Sequence, residues 1–333
     1  LELELHHPFY IARSEQTGRK AKEILLVHIE HEGRTGWGEA AVDRYYGQTL
    51  ESAENALENV APLLGDEPFA FDRILDPLWT ICGDQTAAIA AVDQALHDLA
   101  GKLAGLPVWK MLGLDPKRMP LTSFTIGLDE PEVMARKVRE AEEYPILKVK
   151  VGTEQDEAIL EVIRREASDK ILRVDANCGW SSANVLERCQ QLARFNLELI
   201  EQPTPRGEHD MLALVRKERI APLMADESCI GPEDVLGCVN YFDGINIKLC
   251  KCGGIRRALQ MIHTARAAGL KVMLGCMVET SVGIAAAAQL APMADYVDLD
   301  GHLLLAEDPF EGIGGAGGRL TLNSNPGLGV RLK

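Results

Sequence analysis

No apolar run in this sequence approaches the 18 or more residues that a membrane-crossing helix requires. The first residues carry no basic-then-apolar leader pattern. Positive charge is in deficit: 35 Lys and Arg stand against 50 Asp and Glu, a formal net charge of −15. That balance argues against nucleic acid or an anionic membrane surface as a partner. It leaves an anionic substrate open, because a bound metal inverts the local field. None of the eight cysteines belongs to a C-x-x-C pair, so no zinc framework is indicated. Reduced, mostly buried thiols are expected, and with them a cytoplasmic setting. The chain also lacks an initiator methionine and opens inside an alternating run, LELEL, so a few residues are expected ahead of it.

What is there is ordinary globular material: 333 residues, 46% hydrophobic and 26% charged. That length predicts two domains, or one barrel with an addition. Residues 1 to 41 alternate apolar and polar, predicting a small antiparallel sheet, with HPFYIARSEQTGRK (7–20) as a loop within it. From about 50 to 113 the period turns helical. TLESAENALENVAPLL and AAIAAVDQALHDLAGKLAG each place apolar residues on one face and charges on the other. Asp93 and Asp98 on the second of these read as polar-face or helix-packing residues rather than ligands.

From Pro120 strand and helix alternate. Strands are predicted near 121–127, 146–151, 171–175, 197–201, 222–226, 244–248, 271–275 and 296–299. Eight strands with seven intervening helices predict an α/β barrel of the TIM type. The Gly/Pro-rich stretch 306–333 is expected to hold one short strand and to return to the first domain.

The runs ILKVKVG, ILRVDAN, LELIEQP, APLMADES and GINIKLCKCGG each end an apolar strand on charge: Lys148 and Lys150, Asp175, Glu201, Asp226 and Lys248. Strand C-termini of such a barrel converge on the face where chemistry is done. Asp175, Glu201 and Asp226 end three successive strands about 4.8 Å apart, so they can share one ion. An all-oxygen ligand set selects a hard cation, and Mg²⁺ is the usual choice. Structural pairing of these acids with the nearby lysines is the alternative. Lys148 and Lys150 alternate on one strand and face the barrel mouth together, while Lys248 lies across from them. Two opposed lysines beside a metal suit 1,1-proton transfer next to a carboxylate. A Schiff-base lysine and a non-catalytic binding protein are the readings from other classes.

The set K-x-K, D-x-N, E-Q-P, D-E-S and N-I-K, in that order, resembles the enolase superfamily, in its muconate-lactonising subgroup. The resemblance spans essentially the whole chain. It implies an α+β capping domain (residues 1–118), a modified (β/α)₇β barrel (119–305) and a C-terminal segment (306–333) returning to the cap. It implies one Mg²⁺ held by Asp175, Glu201 and Asp226, with Lys150 and Lys248 as the acid/base pair and Lys148 orienting the substrate carboxylate. The run YVDLDGH resembles the D-x-D motif of the dipeptide epimerases, where Asp298 and Asp300 would hold a dipeptide's α-ammonium. By the same likeness Thr125, Cys276 and Val278 would contact substrate, and Arg13 would receive an acidic second side chain. Tyr45 and Tyr46 would instead suit a more apolar one. The resemblance thus implies an isomerase acting on an L-Ala-Xaa dipeptide, with L-Ala-D/L-Glu as one candidate. Its alternatives are an N-acylamino-acid racemase, an o-succinylbenzoate synthase or a cycloisomerase of the same superfamily. The expected partners are a small-molecule dipeptide and further copies of the chain.

Overall fold

A computed structural model describes residues 1–12 and 19–333. The N-terminal region opens with two antiparallel pairs rather than one sheet. Strand β1 (Glu2–Phe9) pairs β2 (Arg19–Glu23), and β3 (Leu25–His31) pairs β4 (Arg34–Ala40). The strands intrude on the loop expected at 7–20, since β1 runs through Phe9 and β2 starts at Arg19.

Helix α1 (Leu50–Glu58) follows, capped by Thr49, whose hydroxyl accepts the Ser52 amide. After the short α2 (Phe71–Leu75) and α3 (Leu78–Ile81) comes the long α4 (Thr86–Ala104), then α5 (Val108–Met111). Helix α4 departs from the expected two-faced pattern, because every residue from Ala87 to Gly101 is buried. The sheet of β3 and β4 covers one side and barrel helices cover the other. The sheet comes close because β4 carries glycines. A Cβ on Gly36 would lie 2.1 Å from the Ala95 carbonyl, and one on Gly38 1.9 Å from that of Ala91. Asp93 and Asp98 are therefore inside, not on a solvent face. Asp93 accepts the Ile255 amide at the start of a barrel helix. Asp98 accepts the amides of Trp37 and Leu328 at 2.8 Å each and the Lys102 ammonium at 2.7 Å. Of the two expected roles, polar face or helix packing, both take the second.

The barrel has eight parallel strands in sequential order. They are β5 (Phe124–Ile126), β6 (Ile146–Lys150), β7 (Ile171–Asp175), β8 (Leu197–Glu201), β9 (Leu223–Ala225), β10 (Gly244–Ile247), β11 (Lys271–Gly275) and β12 (Tyr296–Asp298). Closure between first and last comes just before β5. Thr122 bridges Val297, and Ser123 N donates to the Val297 carbonyl at 3.1 Å. The seven crossovers carry α6 (Pro131–Glu140), α7 (Asp156–Glu166), α8 (Val185–Leu192), α9 (Leu212–Glu218), α10 (Val235–Cys238), α11 (Leu249–Cys252) with α12 (Ile255–Ala267), and α13 (Ser281–Ala288). Their sequences explain their ends. Helix α6 has Pro131 and Glu132 in its first turn and Lys137 and Arg139 in its last. Helix α7 has Asp156 and Glu157 first, Arg164 and Arg165 last, and buries Ile159, Leu160 and Ile163.

After the barrel, four short strands replace the single one expected. β13 (Phe310–Glu311) pairs β16 (Arg331–Leu332), and β14 (Ile313–Ala316) pairs β15 (Arg319–Leu322). This segment touches both parts of the molecule. Leu328 N reaches Asp98 of α4, while Thr122 beside the barrel donates its amide to Gly318 O. Among the described residues no helix is long and apolar enough to cross a membrane.

Candidate metal centre at the barrel mouth

Register places the charges at one level. Lys150 of β6 lies opposite Asp175 of β7, and Asp175 opposite Glu201 of β8. Asp226 follows the last residue of β9, and Lys248 follows β10 at the head of α11. All five are buried. One carboxylate oxygen from each of Asp175, Glu201 and Asp226 lies within 4.8 Å of the others.

Each acid is fixed from outside the cluster. Asp175 Oδ1 accepts the Asn177 amide at 2.9 Å, and Asn246 Nδ2 donates to Glu201 Oε1 at 2.7 Å. Gln202 Oε1 accepts the amides of Asp226 and Ser228, fixing the turn after β9. Lys251 Nζ lies 2.5 Å from Asp226 Oδ1. Glu201 Oε2 accepts no hydrogen bond. The Lys148 ammonium lies 2.7 Å from that oxygen, outside hydrogen-bond alignment. Three buried carboxylates that bring one oxygen each within 4.8 Å of the others fit a hard divalent cation, and no nitrogen or sulfur ligand intrudes among the described residues.

The lysines bracket these acids. Lys150 Nζ lies 2.6 Å from Asp175 Oδ2 and Lys248 Nζ 2.7 Å from Asp226 Oδ2. Lys148 Nζ reaches Asp298 Oδ2 at 2.7 Å, Glu201 Oε2 at 2.7 Å and Asp175 Oδ2 at 3.1 Å. Burial opposes charge on Lys148 and Lys248, but the adjacent carboxylates outweigh it and raise both above the usual lysine value. The acids divide. Burial is outweighed by Lys150 and Lys148 at Asp175 and by Lys248 and Lys251 at Asp226, so both fall below the usual range. Glu201, raised by burial and then by Asp175, is pushed up to about 7.

Asp298 ends β12, and Asp300 follows two residues on. Ser123 Oγ donates to Asp298 Oδ1 at 2.6 Å, and the Thr125 amide to Asp300 Oδ2 at 2.6 Å. Thr125 therefore meets Asp300 directly. Burial, then the charge of Asp298, pushes Asp300 up to about 7. Cys276 is half-buried and donates its Sγ hydrogen to the Asp298 carbonyl at 3.3 Å. Val278 is half-buried in the same loop, before α13. Arg13 lies outside the described residues. Tyr45 Oη approaches Cys178 Sγ, in the loop after β7, at 3.9 Å, with Tyr46 edge-on to Tyr45.

Sequence reasoning missed Lys251 and Ser123, and gave no role to Asn246, the first residue of its N-I-K motif. Lys251 stands three residues after Lys248 on α11, so a K-x-x-K at a strand end was its signal. Ser123 precedes Thr125 by two, the spacing that puts both on one face of extended chain.

Two family models cover most of the chain. Residues 2–113 match the mandelate racemase/muconate lactonizing enzyme N-terminal domain, and residues 132–333 the enolase C-terminal domain-like family. An L-Ala-D/L-Glu epimerase of Bacteroides thetaiotaomicron is 43% identical over 99% of this chain and 85% of its own length. A dipeptide epimerase of Cytophaga hutchinsonii, solved with Mg and D-Ala-L-Val, superposes with a TM-score of 0.94 at 30% identity, over 100% of this chain and 94% of its own. An N-succinyl Arg/Lys racemase of Bacillus cereus superposes with a TM-score of 0.93 at 30% identity, over 100% and 93%. With the barrel, the cap and the acidic triad in place, these matches show that the chain belongs to the enolase superfamily, in the mandelate racemase/muconate-lactonizing group.

Proposed function

We propose that this isomerase is a Mg²⁺-dependent dipeptide epimerase that inverts the α-carbon of the second residue of an L-Ala-Xaa-type dipeptide. The observation that carries this reading is the acid pair Asp298 and Asp300, buried beside the lysines and the three carboxylates. An N-acylated amino acid has no ammonium for such a pair. The fold does not choose between them, since the superposed structures include both a dipeptide epimerase and an N-succinyl racemase.

In this reading Asp175, Glu201 and Asp226 hold the cation. A bound divalent cation would neutralise the carboxylates that now support the lysine charges, and would stabilise negative charge developing on the substrate carboxylate. Lys148, between Glu201 and Asp298, orients that carboxylate. Lys150 and Lys248 hold to different acids, Asp175 and Asp226. One takes the α-proton from its side and the other returns a proton from the opposite side. Asp300 and Asp298 hold the α-ammonium, with Thr125 and Ser123 fixing the two acids. Cys276 and Val278 contribute contacts from the loop after β11. We assign the capping role to residues 1–118 with the tail 306–333, over a barrel spanning 119–305.

For the second side chain, Tyr45 and Tyr46 favour an apolar or aromatic group near Cys178. Arg13 is the candidate for an acidic one. The test is incubation with a library of L-Ala-L-Xaa dipeptides in D₂O, with and without EDTA. Deuterium at the second α-carbon that appears with Mg²⁺ and stops with EDTA supports the proposal. No exchange into any dipeptide would sink it.

A further inference from the structure

Glu39, near the end of β4, belongs to the cap but turns its carboxylate to the start of α13. It is 1% exposed. Both its oxygens accept the Thr280 amide, at 3.1 Å each, and Oε2 also takes the Thr280 hydroxyl hydrogen. The Gly283 amide approaches Oε2 at 3.4 Å. Thr280 is the N-cap of α13, so Glu39 meets amides that this helix leaves unpaired at its start. The Glu39 backbone is itself tied to α4, through Gln94 Oε1 on its amide at 3.1 Å and Gln94 Nε2 on its carbonyl at 3.3 Å.

The loop between β11 and α13 is thus gripped from the cap. Within it, the buried Glu279 accepts the Met277 amide at 2.7 Å. Its far flank packs on the residue after Asp300. A Cβ on Gly301 would lie 2.1 Å from the Met277 carbonyl and 3.1 Å from Cys276 Sγ. Cys276 bonds the Asp298 carbonyl, and Asp298 bonds Lys148. Direct contacts therefore run from β4 of the cap, through the 276–280 loop, to the acids and lysine of the mouth.

We infer that Glu39 is a positioning residue: from the capping sheet it sets where the 276–280 loop stands over the substrate. The inference rests on the epimerase reading for what the loop faces, but not for the tie itself. A plain interface contact would change stability alone. A positioning contact changes kcat as well, since misplacement of about 1 Å costs on the order of 100-fold.

The experiment compares Glu39→Ala and Glu39→Gln with the parent, all as full chain with Mg²⁺. It reads amide hydrogen exchange across 276–283, kcat and KM for a dipeptide that the parent turns over, and Tm. Glu39→Ala should speed exchange in 276–283 and lower kcat about 10- to 100-fold, more than it raises KM. Glu39→Gln keeps an acceptor oxygen and should restore kcat to within about threefold. Unchanged exchange in 276–283, or a lowered Tm with parental kcat, overturns the inference. If Glu39→Ala does not fold, Thr280→Val removes the hydroxyl alone and should move exchange and kcat the same way. Parental values in that variant overturn it equally. A parent without dipeptide turnover refutes the substrate reading, and exchange in 276–283 still decides the tie.

Discussion

Lys251 Nζ lies 2.5 Å from Asp226 Oδ1 while Lys248 Nζ holds Oδ2 of the same carboxylate at 2.7 Å. One buried acid is thus gripped on both oxygens by lysines three residues apart. Lys251 also donates to the carbonyls of Asp226 at 2.7 Å, Cys229 at 3.1 Å and Asn246 at 3.1 Å. It therefore ties the loop after β9 to the end of β10, and fixes Asp226 in place.

Lys251→Met should consequently act on stability. Without Lys251, Asp226 keeps Lys248 but the carbonyls lose their ammonium donor, and a buried acceptor left unsatisfied costs about 1–3 kcal/mol. Denaturant unfolding should show a lowered midpoint at unchanged secondary structure. A midpoint equal to the parent's would show that the carbonyls and Asp226 do not depend on this ammonium.

A second prediction concerns pH. Burial, then the charge of Glu279, raises Glu39 from 4.5 to about 8, and burial raises Glu279 from 4.5 to about 7. The folded chain therefore binds these protons more tightly than the unfolded chain. Their contribution to stability is complete below the unfolded value and is lost as pH rises through 7 and 8. Between about pH 5 and 9 the melting temperature should fall with a slope that Glu39→Gln flattens, since the amide cannot ionise. Equal slopes in parent and variant would place the titration elsewhere.

The features legible in the sequence were those with a period. Strands closing on Lys150, Asp175, Glu201, Asp226 and Lys248 repeat at the length of a strand-plus-helix unit, and a charge at the end of an apolar run stands out. What crosses between distant segments was not legible. Helix α4 has the charges of a solvent-facing helix, yet Asp93 and Asp98 are buried, because α12 and the tail supply amides from 162 and 230 residues away. Glu39 gave no signal, since its partner Thr280 is 241 residues distant. The tail reads as holding one short strand where there are four, because these, two to four residues each, are too short and glycine-rich for alternation to show.

The third prediction separates the two lysines. Lys150 and Lys248 contact different acids, Asp175 and Asp226, and in the proposed mechanism each serves its own side of the substrate. Lys150→Ala and Lys248→Ala should each stop epimerisation. Each should still exchange the α-proton of the one diastereomer whose proton faces the surviving lysine. Proton NMR in D₂O with both pure diastereomers reads this directly. If neither variant exchanges either one, the opposed-base arrangement fails.

The last prediction concerns the proposed ammonium site. Asp298 is committed to Ser123 and Lys148, so neutralising it disturbs the lysine as well as the substrate. Asp300 is the cleaner probe, because its bond to the Thr125 amide survives in Asp300→Asn. Losing one hydrogen bond to a charged group costs about 1.5–3 kcal/mol, which at about 1.4 kcal/mol per decade lowers kcat/KM about 10- to 100-fold. An N-acetylated dipeptide has no ammonium, so it should be a poor substrate for the parent and lose little more in the variant. The pH profile supplies an independent check. Burial and Asp298 raise Asp300 to about 7 in the free protein. Below that value it is neutral, so kcat/KM for a free dipeptide should fall as pH drops through 7, and that limb should vanish in Asp300→Asn. A parent that prefers the N-acylated compound at every pH would replace the dipeptide reading with the racemase one.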